Sequence, residues 1–154
     1  MNICVKANTT CLLLLSLMAL GLLSACSNPA QSTNPVKEPI SPPDRVDMVY
    51  FYDSKICLCQ IAPGERIHST LFINFSGELA SGKLTYQSVD LNDKNNEIIA
   101  SRYGATSQSL FINIVRADTE NIIAVPEILL VKDDNEALDR LVINRISRYL
   151  SDKE

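Results

Sequence analysis

Cys57 and Cys59 stand one residue apart in the stretch KICLCQIAPG, residues 55–64, directly after the apolar run DMVYFY at 47–52. Two thiols at that spacing can exchange disulfides, lock a loop, or hold a soft metal ion. In exchange the reacting species is the thiolate. A thiol near the start of a helix loses its proton more readily, because it meets the positive end of the helix dipole. Cys57 would then attack, and Cys59 would resolve the mixed disulfide. Bridging residues i and i+2 needs a bent loop. On a regular helix the two side chains point about 200° apart, at about 100° per residue. In an extended strand they share a face, with Cα atoms near the upper end of the disulfide range. A bridge forced into a bend is more easily reduced, so an oxidant or isomerase is expected rather than a strong reductant.

Other uses of the pair stay open. It can be an inert structural disulfide or two idle thiols. Two thiolates also suit a soft ion such as Cu(I). Neighbouring ligands are few: His68, the one histidine, falls about two turns into a predicted helix, and Met48 falls on a predicted strand. A zinc site wants four ligands, more than the pair and its neighbours supply. Neither a metal nor a cofactor is therefore expected. Asp53 could relay protons to the cysteines, but an exposed loop carboxylate is the plainer reading. Lys55 could favour a thiolate, but reads as a solvated lysine. Ser107 and Ser109 have no histidine in plausible reach, which excludes a serine hydrolase. No glycine-rich phosphate loop occurs.

The first 26 residues, MNICVKANTTCLLLLSLMALGLLSAC, carry one positive charge at Lys6 and an apolar run from Cys11 to Leu23. That run is short of the ~20 residues a spanning helix needs and matches the core of an export signal. Leu23-Ser24-Ala25-Cys26 resembles the lipobox of bacterial lipoproteins. The resemblance implies cleavage before Cys26 and lipid, palmitate included, at that cysteine. The mature protein would be anchored on the extracytoplasmic face of a cell membrane or outer membrane. Ser27 after the lipidated cysteine is compatible with an outer membrane. Of the five cysteines, Cys4 and Cys11 leave with the signal and Cys26 takes lipid. Cys57 and Cys59 remain, in a compartment that is usually oxidising. Loss of Lys6 moves the net charge from −4 to −5. An acidic surface gives no footing for nucleic acid or anionic lipid, so attachment must come from acyl chains.

Residues 26–45 read as a tether. The stretch 27–45 holds five of the seven prolines and little apolar bulk. It cannot bury enough surface to fold, and proline keeps it extended at up to ~3 Å per residue. The rest, 46–154, suffices for one compact domain.

Apolar spacing divides that domain into elements. DMVYFY reads as a central strand. Residues 63–80 read as one helix, with Ile67, Leu71, Phe75 and Leu79 on an apolar stripe, Phe72 beside them, and Gly82 as the stop. Strands are predicted at 83–91, 109–116 and 121–125, with a tight turn at 117–120. A short helix over 93–104 has Asp93 as cap and Gly104 as terminator. A helix over 134–150 presents Leu138, Leu141, Val142, the Arg145 stem, Ile146 and Tyr149. PEILLV, 126–131, suits a strand or a helical turn. The acids of DDNEALD suit a helix start. The order is β-α-β, then α, then β-β-α: a four-stranded mixed sheet with helices on both faces.

That order, with a cysteine pair between the first strand and the first helix, resembles the thioredoxin fold. It is closer to small thioredoxin-like bacterial lipoproteins, through VYFY with Cys57, ELASGKL with VDL, and YGATSQSLFI. The α/β thioredoxin-like domain implied covers nearly all of 46–151. The motif departs from that family in two ways. Cys59 comes one residue early for Cys-x-x-Cys. The segment Ala105-Thr106-Ser107-Gln108-Ser109 has no proline where the family places a cis-proline facing the cysteines. Two functions follow as expectations. One is a membrane-anchored thiol–disulfide exchange protein acting through Cys57 and Cys59 on exported protein thiols or a partner enzyme. The other is a non-catalytic binding or assembly lipoprotein whose cysteines are structural.

Overall fold

The computed structural model describes residues 42–151. The export signal, Cys26 and most of the proposed tether lie outside the described residues. Within them, the strands are β1 (Arg45–Tyr52), β2 (Leu84–Asp90), β3 (Ser109–Arg116) and β4 (Thr119–Ala124). The helices are α1 (Ile61–Asn74), α2 (Ser76–Ser81), α3 (Glu97–Tyr103), α4 (Ile128–Val131) and α5 (Asn135–Leu150).

The four strands form one sheet in the order β2-β1-β3-β4. β1 runs parallel to β2 and antiparallel to β3, and β4 closes a hairpin on β3. The long β1–β2 connection, filled by α1 and α2, is what a parallel pair requires. The two-residue turn between β3 and β4 permits only a hairpin. From Met48 to Tyr52, β1 reads as an unbroken apolar run because both its faces are covered. Val46, Met48 and Tyr50 enter the larger core with Ile67 and Leu71 of α1 and Leu138, Val142 and Ile146 of α5. Val49 and Phe51 face the other way, against Tyr103 of α3 and Phe111. The mixed sheet with helices on both faces is thus the arrangement expected, and the strand order and directions are thioredoxin-like.

The single helix expected over 63–80 is two. Phe75 leaves helical geometry at φ −136°, ψ 33°, just before Ser76 and Gly77, which hold a helix poorly. Ile67, Leu71 and Phe75 are buried as the stripe predicts, but Phe72 is 65% exposed. One residue past Leu71 is about 100° around the helix, which carries Phe72 off the buried face. PEILLV resolves into the single turn of α4, with Ile128 buried and Leu130 in solvent. Asp93 accepts from the Asn95 amide, Gly104 ends α3 in the left-handed region at φ 57°, and Asp134 caps α5 by accepting from Ala137.

One acid of DDNEALD does more than complement a dipole. Asp139 pairs with Arg66 and accepts from the Thr70 hydroxyl, joining α5 to α1. The Arg66 hydrogen bond holds its carboxyl below the usual range. A depressed carboxyl stabilises the fold above its unfolded pKa of about 3.9, and that stability is lost as pH falls through the lower folded value. Urea midpoints of the wild type and Asp139→Asn are therefore expected to differ at neutral pH and to converge in acid.

Candidate functional site

β1 ends at Tyr52, and the chain turns through residues 53–56 into a 3-10 turn at Leu58–Gln60 that continues directly into α1. Cys57 caps that turn in extended geometry, φ −163° and ψ 133°. Cys59 lies inside it. The bend brings the two Cα atoms to 5.1 Å, and the two sulfurs are joined as a disulfide. The backbone N–H of Cys59 donates to Cys57 Sγ at 3.0 Å. Cys59 is exposed and Cys57 is half-buried, so neither is sealed under packing. Two apolar side chains stand in solvent around the bridge, Ile56 at 66% and Leu58 at 71%.

Gln60 fixes this loop and was missed from the sequence. It is 5% exposed. Its side-chain Oε1 accepts from the Asp53 amide at 2.9 Å and from the Ser107 hydroxyl. Its carbonyl accepts from the buried Tyr50 hydroxyl at 2.9 Å, and burial pushes that phenol up to about 12. One residue thus ties the cysteine turn to the end of β1 and to the segment before β3. That segment is the stretch without a proline, and no cis peptide occurs among the described residues. Ser107 meets the Gln60 latch there, and Gln108 adopts φ 60°. Gln60→Ala leaves the Asp53 amide and Ser107 without this partner. The expected cost is ~1–3 kcal/mol, read as a lower urea midpoint.

The floor of the loop is a carboxylate cluster. Asp53 accepts from the Asn92 side chain and from the Lys55 amide at 2.9 Å. The Asn92 hydrogen bond leads the groups that hold its carboxyl below the usual range. Asp90 accepts from the Ser54 amide at 3.3 Å and the Asn92 amide at 3.0 Å. Hydrogen bonding, led by Ser54, draws the Asp90 carboxyl to about 2. Asp53 thus clamps the loop through the Asn92 side chain and the Lys55 amide. Lys55 is exposed. His68 stacks on Tyr86 with centroids 5.5 Å apart and an interplanar angle of 14°, and Met48 is in the core at 1% exposure. Among the described residues no group of three or more His, Cys, Asp or Glu side chains is placed to hold a metal ion.

α1 is set close to the sheet beneath the cysteine turn. A Cβ at Gly64 would come within 2.9 Å of Tyr50 Cδ1 and 3.0 Å of Ser88 Oγ. Only glycine lets the helix approach so nearly, and the Tyr86 hydroxyl donates to the Gly64 carbonyl at 2.7 Å.

Fold and site together define an α/β protein of thioredoxin-like fold with a Cys-x-Cys disulfide between its first strand and first helix. Among solved structures the chain is similar to a thioredoxin from Thermus thermophilus, at 12% identity over 71% of this chain and 80% of that one, with a TM-score of 0.45. It is also similar to a malarial protein, at 17% identity over 69% of this chain and 98% of that one, with a TM-score of 0.39. No protein-family model matches the chain, and no curated protein does. The fold assignment rests on strand order and pairing rather than on those two likenesses.

Proposed function

We propose that the protein is a lipid-anchored, extracytoplasmic thiol–disulfide exchange protein that acts as an oxidant through Cys57 and Cys59. The observation that carries this reading is the bridged pair in an accessible turn, with the Cys59 amide aimed at Cys57 Sγ. A substrate thiolate attacks Cys59, the more exposed residue of the pair. A bond forms between the substrate sulfur and Cys59 Sγ, and the Cys57–Cys59 bond breaks. Cys57 leaves as a thiolate that accepts the Cys59 N–H. A second substrate thiolate then attacks the substrate sulfur of the mixed disulfide and releases Cys59. Two electrons pass from the substrate dithiol to the protein pair, and the substrate leaves as a disulfide. Attack at Cys59 reverses the roles that spacing alone suggests. Ile56 and Leu58 offer apolar contact to an extended polypeptide, which favours exported protein thiols as substrate. Anchoring through Cys26 rests on the lipobox resemblance of Leu23 to Cys26.

The test mixes the oxidised protein with a reduced dithiol peptide and follows both by mass spectrometry. The expected result is an oxidised peptide with a reduced pair, and lipid on Cys26 in protein taken from cells. A pair that stays bridged in excess dithiol sinks the exchange reading. The second reading, a non-catalytic binding or assembly lipoprotein, is favoured by one observation. Gln60 and Ser107 are hydrogen-bonded to each other where the family that the chain resembles places a cis-proline facing the cysteines. It predicts that inert bridge.

A further inference from the structure

The free edge of the sheet on the β2 side runs up to the cysteine turn. β2 is the last strand on that side. The Val46 N–H donates to the Lys83 carbonyl, and the Leu91 N–H donates to the Tyr52 carbonyl. In a parallel ladder alternate residues of a strand bond the neighbour, so the odd-numbered residues of β2 face β1. Leu84, Tyr86 and Ser88 therefore turn their backbone N–H and C=O groups outward. Among the described residues no backbone group pairs with them. The Asp90 carbonyl accepts from the Asn96 side chain, which ends the open run. Edge strands are commonly blunted by lysine, proline or a bulge. LTYQSVD, residues 84–90, contains neither residue, and its register on β1 is unbroken.

A groove of about 290 Å³ lies along this edge, between α1 and β2. Tyr86 and Ser88 line it from the strand, and Gly64, Glu65 and His68 line it from the helix. The same two strand residues thus offer both free backbone groups and a side-chain cleft. Tyr52 and Ile61 complete the lining. Tyr52 is the last residue of β1, and Ile61 is the first of α1, directly after the cysteine turn. Glu65 adds an exposed carboxylate.

We propose that the β2 edge takes up an extended segment of the substrate polypeptide as an added strand, with an apolar side chain in the groove and a basic residue beside Glu65. The choice of occupant rests on the exchange reading. The groove reaches the two residues that flank the cysteine turn, so a segment lying in it presents the residues beyond it to the bridge. Backbone pairing supplies affinity without reading sequence, and the groove selects among side chains on one face of the added strand. Such a site suits exported polypeptides of differing sequence.

The experiment titrates the oxidised, ¹⁵N-labelled protein with a capped, cysteine-free nonapeptide, KTVTFTVTK. A second arm uses the same peptide N-methylated at its five central residues, which removes its strand donors. Saturable shifts and slowed hydrogen exchange at the Leu84, Tyr86 and Ser88 amides are expected in the first arm. Binding at least about tenfold weaker is expected in the second. Ser88→Pro removes one outward N–H and no bond to β1, and is expected to weaken the first response severalfold. The methylated peptide keeps the test decisive if that variant disturbs β2. Docking is read without thiols, so it is separate from exchange. Absent shifts, or equal binding of the methylated peptide, overturn the proposal even where exchange proceeds. A dimer through β2 that the peptide fails to displace assigns the edge to a second copy and also overturns it. Shifts in a protein whose pair stays inert to dithiol support the added strand and remove the exchange reading alone.

Discussion

Cys57→Ser is expected to leave a protein that forms a stable mixed disulfide with a disulfide-bonded peptide, while Cys59→Ser forms one at least about tenfold more slowly. Both variants lose turnover in a dithiol-oxidation assay, because each lacks half the pair. The asymmetry comes from access. Cys59 is exposed, while Cys57 is half-buried at the head of the 3-10 turn. On the proposed reading, the same geometry favours oxidation of the substrate. The Cys59 amide already donates to Cys57 Sγ in the bridged form, and it would bind a Cys57 thiolate more strongly, since a charged acceptor makes the stronger hydrogen bond. Stabilising the reduced form makes the disulfide a stronger oxidant, so a potential less negative than thioredoxin's, about −270 mV, is expected. Mass-spectrometric trapping of the single-cysteine variants settles the order of attack. Faster trapping through Cys57 would restore the order that spacing suggests. A redox titration at or below the thioredoxin value would remove the oxidant reading.

Ile67→Ala is expected to cost ~2–5 kcal/mol, the range for truncating a fully buried aliphatic side chain. Ile67 has no exposed surface and sits in the larger core with Leu71, Val142 and Ile146. α1 also carries the cysteine turn at its head, so loosening it against the sheet removes the support of Gln60. The measurement is urea unfolding, with a lower midpoint at unchanged slope. Phe72→Ala is the control from the same helix. Phe72 is 65% exposed, and the expected change is within ~0.5 kcal/mol. A large effect at Phe72 with a small one at Ile67 would mean that the helix is rotated from the orientation described.

Local patterns carried most of the fold. The unbroken apolar run of β1 announced a strand covered on both faces. Asp93 with Gly104, and Asp134, marked helix ends through backbone chemistry that acts over a few residues. The break at Phe75 was hidden because the apolar stripe continues in phase across it. The site was legible only at its two sulfurs. Gln60 reads as an ordinary polar residue before a helix, and its partner Ser107 is 47 residues away. Asp139 reads as one acid among several, and its partner Arg66 is 73 residues away. Such pairings become visible only when the sheet has set the distance between elements. The Asn113–Asp47 contact is of the same kind, a cross-strand neighbour set by the β1–β3 register.

The order of strands along the sheet has a consequence for biogenesis. β1 comes first in the folded chain but lies between β2 and β3. Until residues 109–116 have emerged, one long side of β1 has no mate. Such an edge is prone to adhere to other chains. Vectorial appearance from the N-terminus therefore gives no stable partial domain: the nascent polypeptide must stay open, or be shielded, until its last hairpin and α5 arrive.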